Sequence, residues 1–324
     1  MALTDDYNLI YRIAKMYYLD GLSQMETARA TGLSRATVCR ALDVAKSSGM
    51  IAINLRMPAT AKPDSRVAQK LCSGLGLKEV ILAPTCYSDE TNEGLELLSH
   101  DVSSVAAAHL PRLLSNSHLI GLGWGRTVYN TALHLPQVKD GKRRFFVQLV
   151  SNFSSGNSFL QTSSIVARFV DSFSASGYYL NISQKERSKG ERTPEESIQI
   201  QQLAVYWDAL DSAIVSFSSP DNLKNYEYCG DMWRNYDGGT AQSNPLCFES
   251  MAQVFYENGS SCSVNRNFDI VAIDLQRLRE IHTVICIAAG RKKVKALINA
   301  ARGRFYNTLI VDAPTAEEML RQFK

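Results

Sequence analysis

The stretch LSQMETARATGLSRATVCRALDVA, residues 22–45, most constrains what this chain can fold into. Ser23 and Glu26 have the S-x-x-E spacing of a capping box, in which a hydroxyl and a carboxylate each satisfy a backbone N–H left open at a helix start. Gly32 predicts the tight turn that ends that helix, since a residue without Cβ enters the left-handed region at little cost. Ser34 predicts the cap of the next helix. There Val38, Ala41, Leu42 and Ala45 fall at i, i+3, i+4 and i+7, one apolar face for packing. The other side carries Arg35, Ala36, Cys39 and Arg40, with Thr37 at the margin. Small residues let a helix lie close to a duplex, and arginines donate to phosphates or guanine edges. Two capped helices about a glycine turn read as a helix-turn-helix.

Length and charge limit the rest. A chain of 324 residues is longer than one small reading head and predicts two domains. The net charge is only +3, and residues 1–60 hold seven Lys/Arg against five Asp/Glu. This is no polycation, so specific contacts, doubled in an oligomer, must supply much of any affinity for DNA. The cysteines (Cys39, Cys72, Cys86, Cys229, Cys247, Cys262 and Cys286) are scattered without a C-x-x-C pair, which argues against a zinc site and a disulfide framework. Neither a metal nor a cofactor is expected. The start, MALTDDYNLI, lacks the basic and apolar regions of a signal peptide, and no apolar run approaches the ~20 residues that span a bilayer. The expected location is cytoplasmic, with no membrane partner.

Along the chain, Asp5 to Leu19 predicts a first helix with Ile10, Ile13, Ala14 and Tyr17 as its buried stripe. After Ala45, a Gly49 turn leads to a short strand over 50–55, a possible small wing. Residues 57–64, MPATAKPD, have two prolines and little apolar content, the signature of a linker. The expected organisation is a helix-turn-helix domain at 1–56, a linker at 57–64 and a larger domain at 65–324. In the larger domain, apolar strands over 79–83, 118–120, 145–150, 178–180, 213–217, 284–287 and 308–312 alternate with helical patterns. Thr315 and Glu318 suggest a capping box before a last helix. Nearly all-apolar strands joined by right-handed helical crossovers give a parallel sheet with helices on its faces, an α/β fold of Rossmann-like type.

Within SHLIGLGWGRTVYNTALHL, residues 117–135, a short strand meets Gly121, Gly123 and Gly125, read as a tight loop, and a helix begins near Arg126 or Thr127. A strand entering a helix through glycines presents free N–H groups and the positive end of a helix dipole, a setting suited to phosphate. Thr127 adds a hydroxyl, Arg126 a charge, and Trp124 a surface to cover the loop or stack on a ligand. A plain strand-to-helix turn is the other reading of the same residues. The spacing is G-x-G-x-G rather than G-x-G-x-x-G, which disfavours a dinucleotide site. Ser151 begins a polar loop at the carboxyl end of a strand, where open α/β sheets bind ligands.

At this point the chain resembles the SorC family of bacterial sugar-responsive transcriptional regulators. The resemblance rests on GLSQMETARATGLSRATVCRALDVAKSSGMIAI, on IGLGWGRT, on Gly230-Asp231 in CGDMWRNYDGGT, and on VICIAAGRKKVKALINAARGRFYNTLIVDAPTAEEML. It extends from about residue 8 to 320. It implies a DNA-binding head, an effector domain similar to the sugar-phosphate isomerase and deaminase fold, dimers or tetramers of the same chain, and control by a sugar or phosphosugar. By the same resemblance Gln24, Arg35, Thr37 and Arg40 belong to the operator-reading surface, to which Ser34 is added as the cap of the reading helix. Gly123, Gly125, Arg126, Thr127, Asp231 and Lys293 belong by resemblance to the effector site, to which the readings of the loop and of the strand end add Trp124 and Ser151. The chain departs from the family pattern at Ala289, at Ser151 and at Ser216–Pro220, where side chains stand in place of glycines; a smaller pocket or an uncommon effector is expected. The competing reading is a phosphosugar isomerase or deaminase fused to a DNA-binding head, which requires a positioned base. No acid/base constellation is recognisable, and no catalytic residue is assigned.

Overall fold

The computed structural model describes residues 6–51, 65–152, 161–182, 185–186, 190–219, 246–256, 258–262 and 268–323. Residues 52–55 of the expected wing, the linker at 57–64 and Asp231 lie outside them. The chain divides into two compact units, residues 1–55 and 56–324.

The first unit is three helices: α1 (Tyr7–Tyr18), α2 (Gln24–Thr31) and α3 (Arg35–Ser47). Each begins at a side-chain cap. Asp6 accepts from the Leu9 amide. Ser23 and Glu26 form the reciprocal capping box, at 3.3 Å and 2.8 Å. Ser34 Oγ accepts from the Thr37 amide at 3.1 Å. Gly32 stands at φ +71°, the left-handed turn that breaks α2 from α3. Ile10, Ile13 and Ala14 of α1, Ala28 of α2, and Val38, Ala41, Leu42 and Ala45 of α3 meet in one small core, with Tyr17 partly buried against it.

The second unit runs α4 (Ser65–Leu75), β1 (Glu79–Ala83), α5 (Asn92–Leu113), β2 (Leu119–Leu122), α6 (Arg126–His134), β3 (Phe145–Gln148), α7 (Thr162–Phe173), β4 (Ser176–Tyr178), β5 (Lys185–Glu186), α8 (Pro194–Asp208), β6 (Ser212–Val215), β7 (Leu246–Ser250), β8 (Gln253–Tyr256), β9 (Phe268–Asp269), β10 (Thr283–Ala288), α9 (Val294–Arg302), β11 (Thr308–Asp312) and α10 (Ala313–Gln322). Seven strands form a parallel sheet in the order β1-β11-β10-β6-β2-β3-β4. Except at the half-exposed edge strand β4, both faces are buried, and the pleat divides the strands between them. Val284, Cys286 and Ala288 of β10 enter one apolar core, while Ile285 and Ile287 enter the other. The strand order reverses between β2 and β6: from β2 the chain steps outward through β3 and β4, and from β6 it steps the other way. Such a switch point opens a crevice at the carboxyl ends of the strands.

Three local expectations change. Gly121 lies inside β2 rather than in the loop after it; a Cβ there would meet Leu149 Cδ2 at 2.4 Å, so the residue is fixed by packing on a neighbouring side chain. The strand expected over 178–180 is observed at Ser176–Tyr178. The last helix begins before Thr315 and Glu318. Asp312 is its cap, accepting from the Thr315 amide at 2.8 Å, so Thr315 stands inside the first turn as a receiver of the cap.

Candidate effector site

A cavity of about 210 Å³ opens at the switch point. Its wall is built from Leu95, Glu96 and Ser99 of α5, Trp124 to Thr127, Tyr129 and Asn130 around the start of α6, Ser216 and Ser218 after β6, Glu249 of β7, and Ala289 and Lys293 after β10. Trp124, Gly125, Arg126, Thr127 and Lys293 are thus brought together from positions up to 169 apart in sequence. Gly123 and Ser151 are not among the lining residues.

The chain past β2 is shaped by close approach. The Gly123 amide donates to the Ile214 carbonyl at 2.8 Å, and a Cβ at Gly123 would stand 3.2 Å from that oxygen. Gly123 therefore presses the loop onto β6 instead of facing a ligand. Gly125 stands at φ +125° as the N-cap of α6 and supplies no side-chain acceptor, so the first amides of α6 are left open to an anion. Thr127 is buried, its Oγ1 3.5 Å from Ser99 Oγ, and its carbonyl accepts from Ser103 and Thr131. Arg126 is exposed at the rim.

Glu249 is the residue that the sequence motifs did not point to. It is buried at 6% exposure, and its backbone pairs with Ser218 in both directions, at 3.0 Å and 2.8 Å. The β7–β8 hairpin turns through Met251 and Ala252, both at positive φ, and returns the Ala252 amide to Glu249 Oε1 at 3.1 Å. Trp124 hydrogen-bonds the same carboxyl. Burial pushes the Glu249 pKa up to about 7, against the opposing pull of the Ala252 amide, the Lys293 charge and Trp124. Burial holds the Lys293 ammonium below the usual lysine range, and the Arg126 charge acts in the same direction; Cys286, Glu249 and Asp312 oppose it. The site therefore joins a helix N-terminus and two neighbouring cations to a carboxyl poised near neutrality. An acidic residue directly after the apolar run Leu246–Phe248 was the only sequence signal for it.

The two walls of the cavity are stapled beside it. Asp89, ahead of α5, accepts from the Arg291 amide at 2.6 Å and from its guanidinium at 2.8 Å and 2.6 Å. Gly290 donates to Asp312 Oδ2 at 2.9 Å, and a Cβ on Gly290 would meet Leu95 Cδ1 at 2.7 Å.

On the first unit, Arg35 and Arg40 are exposed on one side of α3 with Ser34 at its start, and Thr37 is half-buried. Arg35 Nε donates to Gln24 Oε1 at 3.4 Å, so the starts of α2 and α3 share a polar surface.

A helix-turn-helix followed in the chain by a parallel α/β domain with a polar cavity at its switch point defines a ligand-responsive transcriptional regulator. Residues 61–321 match the Sugar-bind family, a sugar-binding domain. The chain is 26% identical over 332 residues to the sorbitol operon regulator of Klebsiella pneumoniae, covering 99% of this chain and 100% of that protein. It is 23% identical over 308 residues to the deoxyribonucleoside regulator of Bacillus subtilis, covering 95% of each. The crystal structure of the full-length sorbitol operon regulator SorC from Klebsiella pneumoniae has the same fold, with a TM-score of 0.66 at 24% identity over 98% of this chain and 99% of that one. The chain belongs to the SorC family of sugar-responsive transcriptional regulators. No helix among the described residues is long and apolar enough to cross a membrane.

Proposed function

We propose that this regulator reads an operator of a carbohydrate-utilisation operon through residues 1–56 and responds to a phosphosugar held in residues 65–324, with 57–64 joining them. The observation that carries the reading is the convergence of the open α6 N-terminus, Arg126, Lys293 and Glu249 on one cavity. The α6 amides and the two cations suit a phosphate. The Glu249 carboxyl and the hydroxyls of Ser99, Ser216 and Ser218 suit sugar hydroxyls. Gln24, Ser34, Arg35, Thr37 and Arg40 are the operator-reading surface. The head is only weakly basic, so we place two heads on a pseudo-palindrome in a dimer or tetramer of the chain. Effector and operator are then linked through one conformational equilibrium, each changing the affinity of the other by the same factor. The protein works in the cytoplasm and turns over no phosphosugar. Its relatives are named as regulators, which supports a binding role for the cavity over a catalytic one.

The test begins by selecting bound duplexes from a random pool to define the operator. Operator affinity is then measured with and without a panel of sugars and phosphosugars. A selective change with one phosphosugar, lost in Arg126→Ala, is expected. An operator affinity that no member of the panel alters, together with turnover of any phosphosugar, would replace this reading with an enzyme.

A further inference from the structure

The charges around the cavity are distributed unevenly, and their placement limits the ligand. Its described lining carries two cations, Arg126 and Lys293, and two carboxyl groups, Glu96 and Glu249. The cations are electrostatic neighbours and form one positive cluster beside the α6 N-terminus. Glu249 closes the inner wall next to Trp124 and Lys293. Glu96 stands exposed on α5, beside Leu95 and Ser99 in the same wall. One dianionic group can therefore be met by both cations and open amides. A second would lie against a carboxylate, where like charges at short range repel strongly in a partly desolvated site. The volume points the same way: about 210 Å³ is below the range of ~300–1,000 Å³ usual for ligand pockets.

We infer that the cavity takes the monophosphate of a single sugar or polyol unit and rejects bisphosphates, with Glu96 as the residue that sets this selectivity. The inference rests on the reading of the cavity as a phosphosugar site and adds to it the number of phosphates. The single phosphate sits on the α6 amides between Arg126 and Lys293, and the hydroxylated end faces Glu96, which accepts from hydroxyls and refuses a second anion.

Binding to the full chain is measured by calorimetry and thermal shift with matched probes: fructose 6-phosphate against fructose 1,6-bisphosphate, glucose 6-phosphate against glucose 1,6-bisphosphate, and orthophosphate against pyrophosphate. The expected result is that each single-phosphate probe that binds does so roughly tenfold or more tightly than its doubly phosphorylated counterpart. Glu96→Lys narrows or reverses that ratio, and Glu96→Gln falls between. Because Glu96 is exposed, both variants keep the core intact. Equal or tighter binding of the bisphosphates or of pyrophosphate, or a ratio unmoved by Glu96→Lys, overturns the inference while leaving a phosphate site in place. No shift with any phosphate probe, orthophosphate at high concentration included, overturns the phosphosugar reading itself, and the inference falls with it.

Discussion

Glu249 and Asp89 are two acids beside one cavity, and their environments push them in opposite directions. Burial raises Glu249 to about 7, so its ionisation costs stability. A raised acid contributes fully below its unfolded value near 4.5 and loses that contribution as pH rises through about 7. The protein should lose about 3 kcal/mol from this group between those limits. Glu249→Gln should remove the slope, read from denaturation curves at successive pH values; an unchanged slope would assign the pH dependence elsewhere. At Asp89 burial acts upward but is outweighed by the Arg291 hydrogen bonds and charge, and its pKa is lowered. Its contribution is present above the ordinary carboxylate range and is lost as pH falls below it. Asp89→Asn should cost roughly 1–3 kcal/mol and loosen the staple between α5 and the loop after β10. A midpoint equal to that of the parent protein would show that the pair is fully replaced by water. On α3, Arg35→Ala should relax preference at one base pair if the guanidinium reads guanine, at about 1–3 kcal/mol. A uniform loss over all duplexes would identify a phosphate contact. These residues differ in how readable they were. Arg35 and Ser34 announce themselves because a cap and a helical period are local patterns. Thr127 was found through strand-loop-helix order, and Lys293 through the family resemblance. Glu249 has neither cue, since its role comes from a fold that lays β7 beside Ser218.

The elements show the same division. Two helix starts were legible because a short polar side chain precedes an apolar period: Ser23 and Ser34 cap as read from the sequence, and the structure adds Thr193 at α8 by the same chemistry. Thr315 and Glu318 carried the same spacing without the same role, because Asp312 at the end of β11 already satisfies the helix and Pro314 fixes its first turn. Ser151 was placed by the rule that ligands sit at strand ends. It does follow β3, but its amide is bound to the Val271 carbonyl and its buried hydroxyl has no partner among the described residues, away from the cavity lining. Hairpin β7–β8 was the element least visible in advance. Its turn uses Met251 and Ala252 at φ +51° and +63°, where glycine or asparagine is usual. Such backbone costs of order 1 kcal/mol or more per residue and persists when its surroundings fix it. Ala252→Gly should therefore stabilise the protein by a few tenths to 1 kcal/mol while keeping the amide that Glu249 accepts. A loss of stability would show that the Ala252 methyl packs better than its conformation costs.

At the scale of the whole molecule, the fold class was legible because six of the seven parallel strands are almost wholly buried and leave a strong apolar signal, the half-exposed edge strand β4 being the exception. The reversal of strand order between β2 and β6 was not legible, since periodicity carries no information on neighbours. That reversal brings together five separate stretches of chain, from Leu95 to Lys293, around one small volume. It also sets a schedule. The three N-terminal helices are complete by residue 47, with a core drawn from within them alone. The cavity cannot exist until Lys293 and the β11 strand that supports it have been synthesised and laid into the sheet. On a ribosome the head is thus finished hundreds of residues before the sensor, and each newborn chain passes through an interval in which it is deaf to its effector.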